Sequence, residues 1–128
     1  MRILGIDYGL VKVGLAIAEG PLAEPLQVIR YEDIKELVGR LQIEIEKHKI
    51  EKIVIGVSEG VIAKESKRLA SLIINHKSLI IDFSDETLST HEAQELAKQS
   101  GMTRKKRRGM EDAFAATIML QNYLDSQS

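Results

Sequence analysis

Residues 2–18 read RILGIDYGLVKVGLAIA, and the fold turns on how this stretch divides. Positions 2–7 are apolar except for Arg2 at the start and Asp7 at the end, the pattern of a strand buried on both faces. VGLAIA at 13–18 is a second such run, and Gly9 and Gly14 bracket the turn between them. Strands joined this closely pair as an antiparallel hairpin, because parallel neighbours need a crossover of about a dozen residues or more. Gly20-Pro21 breaks the chain, and LQVIRY at 26–31 supplies a third strand of the same meander.

Past residue 32 the hydrophobic period changes. Ile34, Leu37, Val38, Leu41 and Ile45 recur at helical spacing and predict a helix over 32–49. KIVIGV at 52–57 predicts a strand buried on both faces, and Ile62, Leu69, Leu72 and Ile73 a helix over 62–75. SLIIDFSDE at 78–86 reads as a strand ending in acids. Ser89-x-x-Glu92 opens a helix to about residue 99, which Gly101 ends. A basic loop follows, then a last helix over 109–124. Helices and strands that alternate in this way imply right-handed crossovers and parallel pairing in the second half. The class is therefore α/β, with a mixed sheet whose first three strands are antiparallel.

The 128 residues suit one domain over 1–128. Lys+Arg 18 against Asp+Glu 19 leaves a net charge of -1, which excludes a protein that binds nucleic acid through bulk positive charge. With Cys 0, a disulfide scaffold, a thiolate zinc site and a cysteine nucleophile are excluded as well. No apolar run reaches the roughly 18–20 residues of a membrane span, and the acid at Asp7 comes too early for a signal peptide. These features predict a cytoplasmic chain with no membrane partner.

Three acids stand at places where chemistry could be built. Asp7 ends the first strand, an expensive position for an unpaired carboxylate, although an isolated D-x-G more often caps a turn. Asp85 and Glu86 end another strand, and alternation lets only one of them share a site with Asp7. Asp112 lies near the start of the last helix, on a stripe with Ala115, Ala116, Met119 and Tyr123, where the alanines would allow close approach to the sheet. Glu111 falls on the solvent side. Each acid alone has an ordinary reading as a cap or a helix-dipole partner. Three together would repel, and a divalent cation relieves that repulsion. Carboxylate oxygens suit Mg²⁺ or Mn²⁺, and carboxylates around two ions about 4 Å apart suit phosphodiester hydrolysis.

Arg104, Lys105, Lys106, Arg107 and Arg108 supply five of the 18 basic residues, just before Asp112. At the lip of an acidic metal site such a run would hold phosphates. Three Tyr, two Phe and no Trp offer no base-stacking platform, so contact falls on the phosphate backbone. Other motifs fail. His91-Glu92 begins H-E-x-x-E, not a zincin pair. Gly56-Val57-Ser58-Glu59-Gly60 matches a nucleophile elbow in letters, but 128 residues cannot supply that fold.

The motifs together resemble the YqgF family, also called RuvX. The resemblance rests on GIDYGxxxxGLA, on the strand ending Asp85-Glu86 with Thr87 and Ser89-Thr90 beyond, and on R-K-K-R-R-x-x-x-D-A-x-A-A, the most specific of the three. It runs through essentially the whole chain. It implies an RNase H-like fold: a five-stranded mixed sheet, three strands antiparallel, with helices on both faces. It also implies Holliday-junction-resolvase-like nuclease activity linked to maturation of the 5′ end of 16S ribosomal RNA, with Asp7, Glu86 and Asp112 as catalytic carboxylates and metal ligands. The choice of Glu86 over Asp85 comes from the resemblance. Lys12 and residues 104–108 would contact phosphate in RNA or branched DNA, with a ribosome precursor as a partner. The chain departs from the family at Leu10-Val11 before Lys12, at Gly56 to Gly60, and at Thr87 in place of an arginine, which thins the contacts around the carboxylates. A nucleic-acid or ribosome-associated binding module without catalysis is the competing reading. An actin-like phosphotransferase, suggested by GIDYG alone, would need a second domain.

Overall fold

β1 (Arg2–Asp7) is the central strand of a five-stranded sheet in the order β3-β2-β1-β4-β5, where β2 is Lys12–Glu19, β3 Ala23–Arg30, β4 Lys52–Val57 and β5 Ile80–Asp85. The computed structural model describes residues 1–9, 11–57, 61–74, 79–85 and 104–127. β1 pairs antiparallel with β2, and β2 with β3; β1 pairs parallel with β4, and β4 with β5. The mixed sheet read from the sequence is the sheet observed.

Alternation along β1 assigns the two faces. Leu4, Ile6 and Tyr8 pack into one core with Val13, Leu15, Ile53 and Ile55 of the neighbouring strands. That face is covered by α1 (Ile34–Lys47) and α2 (Val61–Ile74) through Leu37, Leu41, Ile45, Leu69 and Ile73. On the other face Ile3, Ala16, Ala18 and Val54 pack under α3 (Arg104–Gln127) through Ala116, Met119, Leu120 and Tyr123. Each fully buried Leu or Ile in these layers stabilises the fold by about 1.5–3 kcal/mol relative to exposure.

Local chemistry sets the element ends. Asp33 caps α1, its side chain accepting from the Glu36 N–H at 2.9 Å. At the other end Lys49 adopts a left-handed φ of 53°, and the Ile50 N–H returns to the Ile45 carbonyl at 2.9 Å. The Glu51 N–H then reaches the Arg2 carbonyl at 2.9 Å and starts β4 alongside β1.

Four expectations change. β3 starts at Ala23 rather than 26 and contains Pro25, which an edge strand tolerates because the missing N–H can face outward. Gly14 lies inside β2, not at the edge of the turn. The last helix begins at Arg104 rather than 109, so the basic run is helical and not a loop. Arg and Lys are good helix formers, and Gly109 is carried inside the helix with open space around it. Ala115 packs with Phe114 and Met110 away from the sheet-facing stripe. The helix expected over 89–99 lies outside the described residues. Among the described residues no helix is long and apolar enough to cross a membrane.

Candidate active site

Asp7 closes β1 between two glycines. It faces Gly14 of β2 on one side and Gly56 of β4 on the other, and Gly56 in turn faces Ser84 of β5. Partners in register share a face, so this row crosses the sheet on the α3 side with small residues around the one carboxylate. The row lies at the carboxyl ends of the parallel strands β1 and β4, where open α/β sheets place their ligands. Asp7 is partly exposed and has interactions of its own.

Gly14 brings the helix to this row. A Cβ at Gly14 would overlap the carbonyl of Asp112, so the α3 backbone lies directly on the strand there. A second close approach, at Gly5, puts an added Cβ 3.0 Å from the Cβ of Leu120. The small residues that let helix and sheet touch are therefore strand glycines. Glycine inside a strand marks such an approach, a signal present in the sequence and assigned there to a turn.

Asp112 is thereby held above the residue that faces Asp7. Its Oδ2 lies 3.0 Å from the Nζ of Lys12, which comes from the start of β2. Two residues before Gly14 along β2, Lys12 shares its face. Both side chains keep substantial exposure, 40% for Lys12 and 31% for Asp112. Glu111 is partly buried rather than fully exposed.

The turn after Asp7 is fastened from below. Tyr31, just past β3, donates its hydroxyl to the Gly9 carbonyl at 2.5 Å, and its N–H to the Val11 carbonyl at 3.1 Å. Its ring stacks on Tyr8 with centroids 6.4 Å apart. Burial, and then the hydrogen bond with Tyr8, push the Tyr31 phenol above its ordinary pKa. An added Cβ at Gly9 would meet the Lys12 carbonyl at 2.6 Å, so the turn is tight where it presents Lys12.

The structure thus brings Asp7, Lys12 and Asp112 to one end of the sheet. Glu86 lies outside the described residues, one position past the end of β5 at Asp85. Among the described residues no group of three or more His, Cys, Asp or Glu gathers. Residues 104–108 form the first turns of α3, which contain no acid in the first turn. Five consecutive helical residues step about 100° each and surround the axis. Cations at a helix N-terminus oppose the macrodipole, so the placement of the run gains nothing from the helix dipole. The sequence reading singled out Asp7 and Asp112 as candidates and did not anticipate the glycine row or the Lys12–Asp112 pair.

A family model described as "RuvX: Holliday junction resolvase" matches residues 1–126. The chain belongs to the RuvX family. A similar protein from Lactococcus lactis subsp. cremoris (strain SK11), named "Putative pre-16S rRNA nuclease", is 34% identical, the match covering 99% of this chain and 96% of that protein. Among solved structures, the Fowlpox virus resolvase with its Holliday junction DNA superposes with a TM-score of 0.70 at 12% identity, covering 99% of each chain. The T. thermophilus RuvC–junction complex gives 0.67 at 14% identity, covering 100% of this chain and 97% of that one. At such identities the superpositions show the fold alone. This RuvX chain therefore has the RNase H-like fold that its motifs imply, within a family of nucleases.

Proposed function

We propose that this RuvX chain is a metal-dependent endonuclease on structured nucleic acid, hydrolysing phosphodiester bonds at the sheet end that carries Asp7 and Asp112. The observation that carries the reading is the glycine row. Gly14 and Gly56 flank Asp7 in register without a side chain, and the close approach at Gly14 fixes the Asp112 backbone beside it.

Asp7 and Asp112 would hold the ions, with Glu86 as the third carboxylate. The donors fit a hard divalent cation such as Mg²⁺ or Mn²⁺: they are oxygens, the chain has no cysteine, and the described histidine His48 is engaged with Glu44 at 3.1 Å. Bound there, such ions activate water and neutralise charge at the leaving oxygen. Asp7 supplies a fixed ligand on the most central strand. Asp112 supplies one from the helix. Lys12 and the basic turns of α3 draw the phosphate backbone to the same end, which the even overall charge does not do.

The relatives' names support two candidate substrates, a 16S rRNA precursor and a branched DNA junction. The test incubates the purified chain, with Mg²⁺ or Mn²⁺, with a 5′-extended 16S rRNA fragment, a four-way DNA junction and a linear duplex. Cleavage of one branched or precursor substrate, abolished by Asp7→Asn without loss of folding, is the expected result. Undiminished Mg²⁺-dependent cleavage by Asp7→Asn overturns the assignment. Salt-sensitive binding with no turnover in either metal means a binding module instead.

A further inference from the structure

Lys12 and Asp112 meet where the proposed chemistry needs Asp112 for something else. The ammonium lies 3.0 Å from Oδ2, on the face that carries Asp7. Neither residue is there by accident of a flexible surface. Lys12 leaves the tight turn that Tyr31 fastens at Gly9 and Val11, and the Asp112 backbone is pressed onto Gly14 two residues along the same strand. The pair is fixed at both ends by backbone, yet both side chains remain partly exposed. A pair of that exposure is weak and exchangeable, worth at most a few-fold in an equilibrium constant.

We infer that Lys12 is a built-in counter-ion for Asp112 that a divalent cation must displace, so that metal loading frees an ammonium for phosphate at the same spot. The inference rests on the endonuclease reading above. In the metal-free chain Lys12 neutralises the Asp112 carboxylate, whose backbone lies over Gly14. When a divalent cation takes Asp112, Lys12 is repelled by that cation and released toward solvent, where a phosphate oxygen is its natural partner. Metal and nucleic acid then favour one another's binding through one side chain, and such coupling is reciprocal.

Titration of Mn²⁺ alone into the metal-free protein, followed by calorimetry and by thermal unfolding, tests this without any cleavage assay. Lys12→Met should bind Mn²⁺ about two- to fivefold more tightly than the wild type, because the competing cation is gone. It should also unfold at lower temperature in chelator, and gain more from added Mn²⁺. Lys12→Arg keeps a cation on Asp112 and should restore near-wild-type Mn²⁺ affinity. Lys12→Gln gives a second neutral variant should Lys12→Met fold poorly. Equal or weaker Mn²⁺ binding by the neutral variants overturns the counter-ion role and leaves the endonuclease reading standing. Absence of Mn²⁺ and Mg²⁺ binding by the wild type overturns both.

Discussion

The carbonyl of Asp112 lies where a side chain on Gly14 would have to go. One strand residue without a Cβ therefore sets the height of α3 above the sheet, and with it the position of a carboxylate proposed to hold metal. Gly14→Ala must push the helix outward or bend β2, because the obstructing atoms are backbone. The expected loss is at the upper end of the about 1–3 kcal/mol typical of overpacking. Denaturant unfolding measures it, and Mn²⁺ affinity should fall further than stability alone explains.

Tyr31 ties the end of β3 to the turn that presents Lys12. Tyr31→Phe removes the hydroxyl that Gly9 accepts and should cost about 1 kcal/mol at neutral pH. The folded state holds this phenol proton to higher pH than the unfolded chain, whose tyrosine titrates near 10.0. The contribution is thus complete below about pH 10 and is lost as pH rises through the raised folded value. Unfolding curves of wild type and variant should converge in alkali; a gap that stays constant beyond pH 10 contradicts the assignment.

At the opposite end of the α3 face the chemistry runs the other way. Tyr123 donates its hydroxyl to Asp82 at 2.7 Å, and Lys52 lies 4.9 Å over the Tyr123 ring. That hydrogen bond, then the Phe83 N–H and the Lys52 charge, hold the Asp82 carboxyl below its ordinary value of 3.8 despite some desolvation. A lowered folded value stabilises the protein above the unfolded pKa, and the stabilisation is lost as pH falls through the folded one. Tyr123→Phe should therefore cost about 1 kcal/mol at pH 7 and progressively less below pH 4. Urea denaturation at pH 7, 4 and 3 reads the trend.

The basic turns of α3 separate binding from folding. Replacing Arg104, Lys105, Lys106, Arg107 and Arg108 with Gln should weaken nucleic-acid binding and flatten its salt dependence. Residues that surround a helix cannot all face one ligand, so the slope should fall by about two to three contacts' worth, roughly 0.7–0.9 each. Thermal stability should hold or rise slightly, since cations at a helix N-terminus work against its dipole. A large drop in melting temperature would show that the run belongs to the fold instead.

The sheet order was legible because strand and helix periods differ so plainly in this chain, and because the short β1–β2 link leaves only antiparallel pairing. Boundaries were less legible. The start of α3 was hidden because the charge run at 104–108 reads as a solvated loop, while Gly109 inside the helix costs only about 1 kcal/mol. The start of β3 was hidden by Pro25, which only an edge strand can hold. Within the candidate site, Asp7 and Asp112 stood out as acids at the ends of apolar runs. The Lys12–Asp112 contact joins residues a hundred positions apart and depends on the helix height that Gly14 sets, which no local pattern encodes.

α3 is a single rod of 24 residues whose described core contacts begin at Met110. The segment before them carries charge, and the segment after them carries the second core. The two segments differ in character within one continuous helix. On the proposed reading, changes among residues 104–108 would alter phosphate contact while leaving the buried stripe at Ala116 and Leu120 in place. A change at Ala116 or Leu120 reaches the carboxylates through the same rod. On the proposed reading, polyanion contact and the seating of the helix on the sheet are separable along one rod.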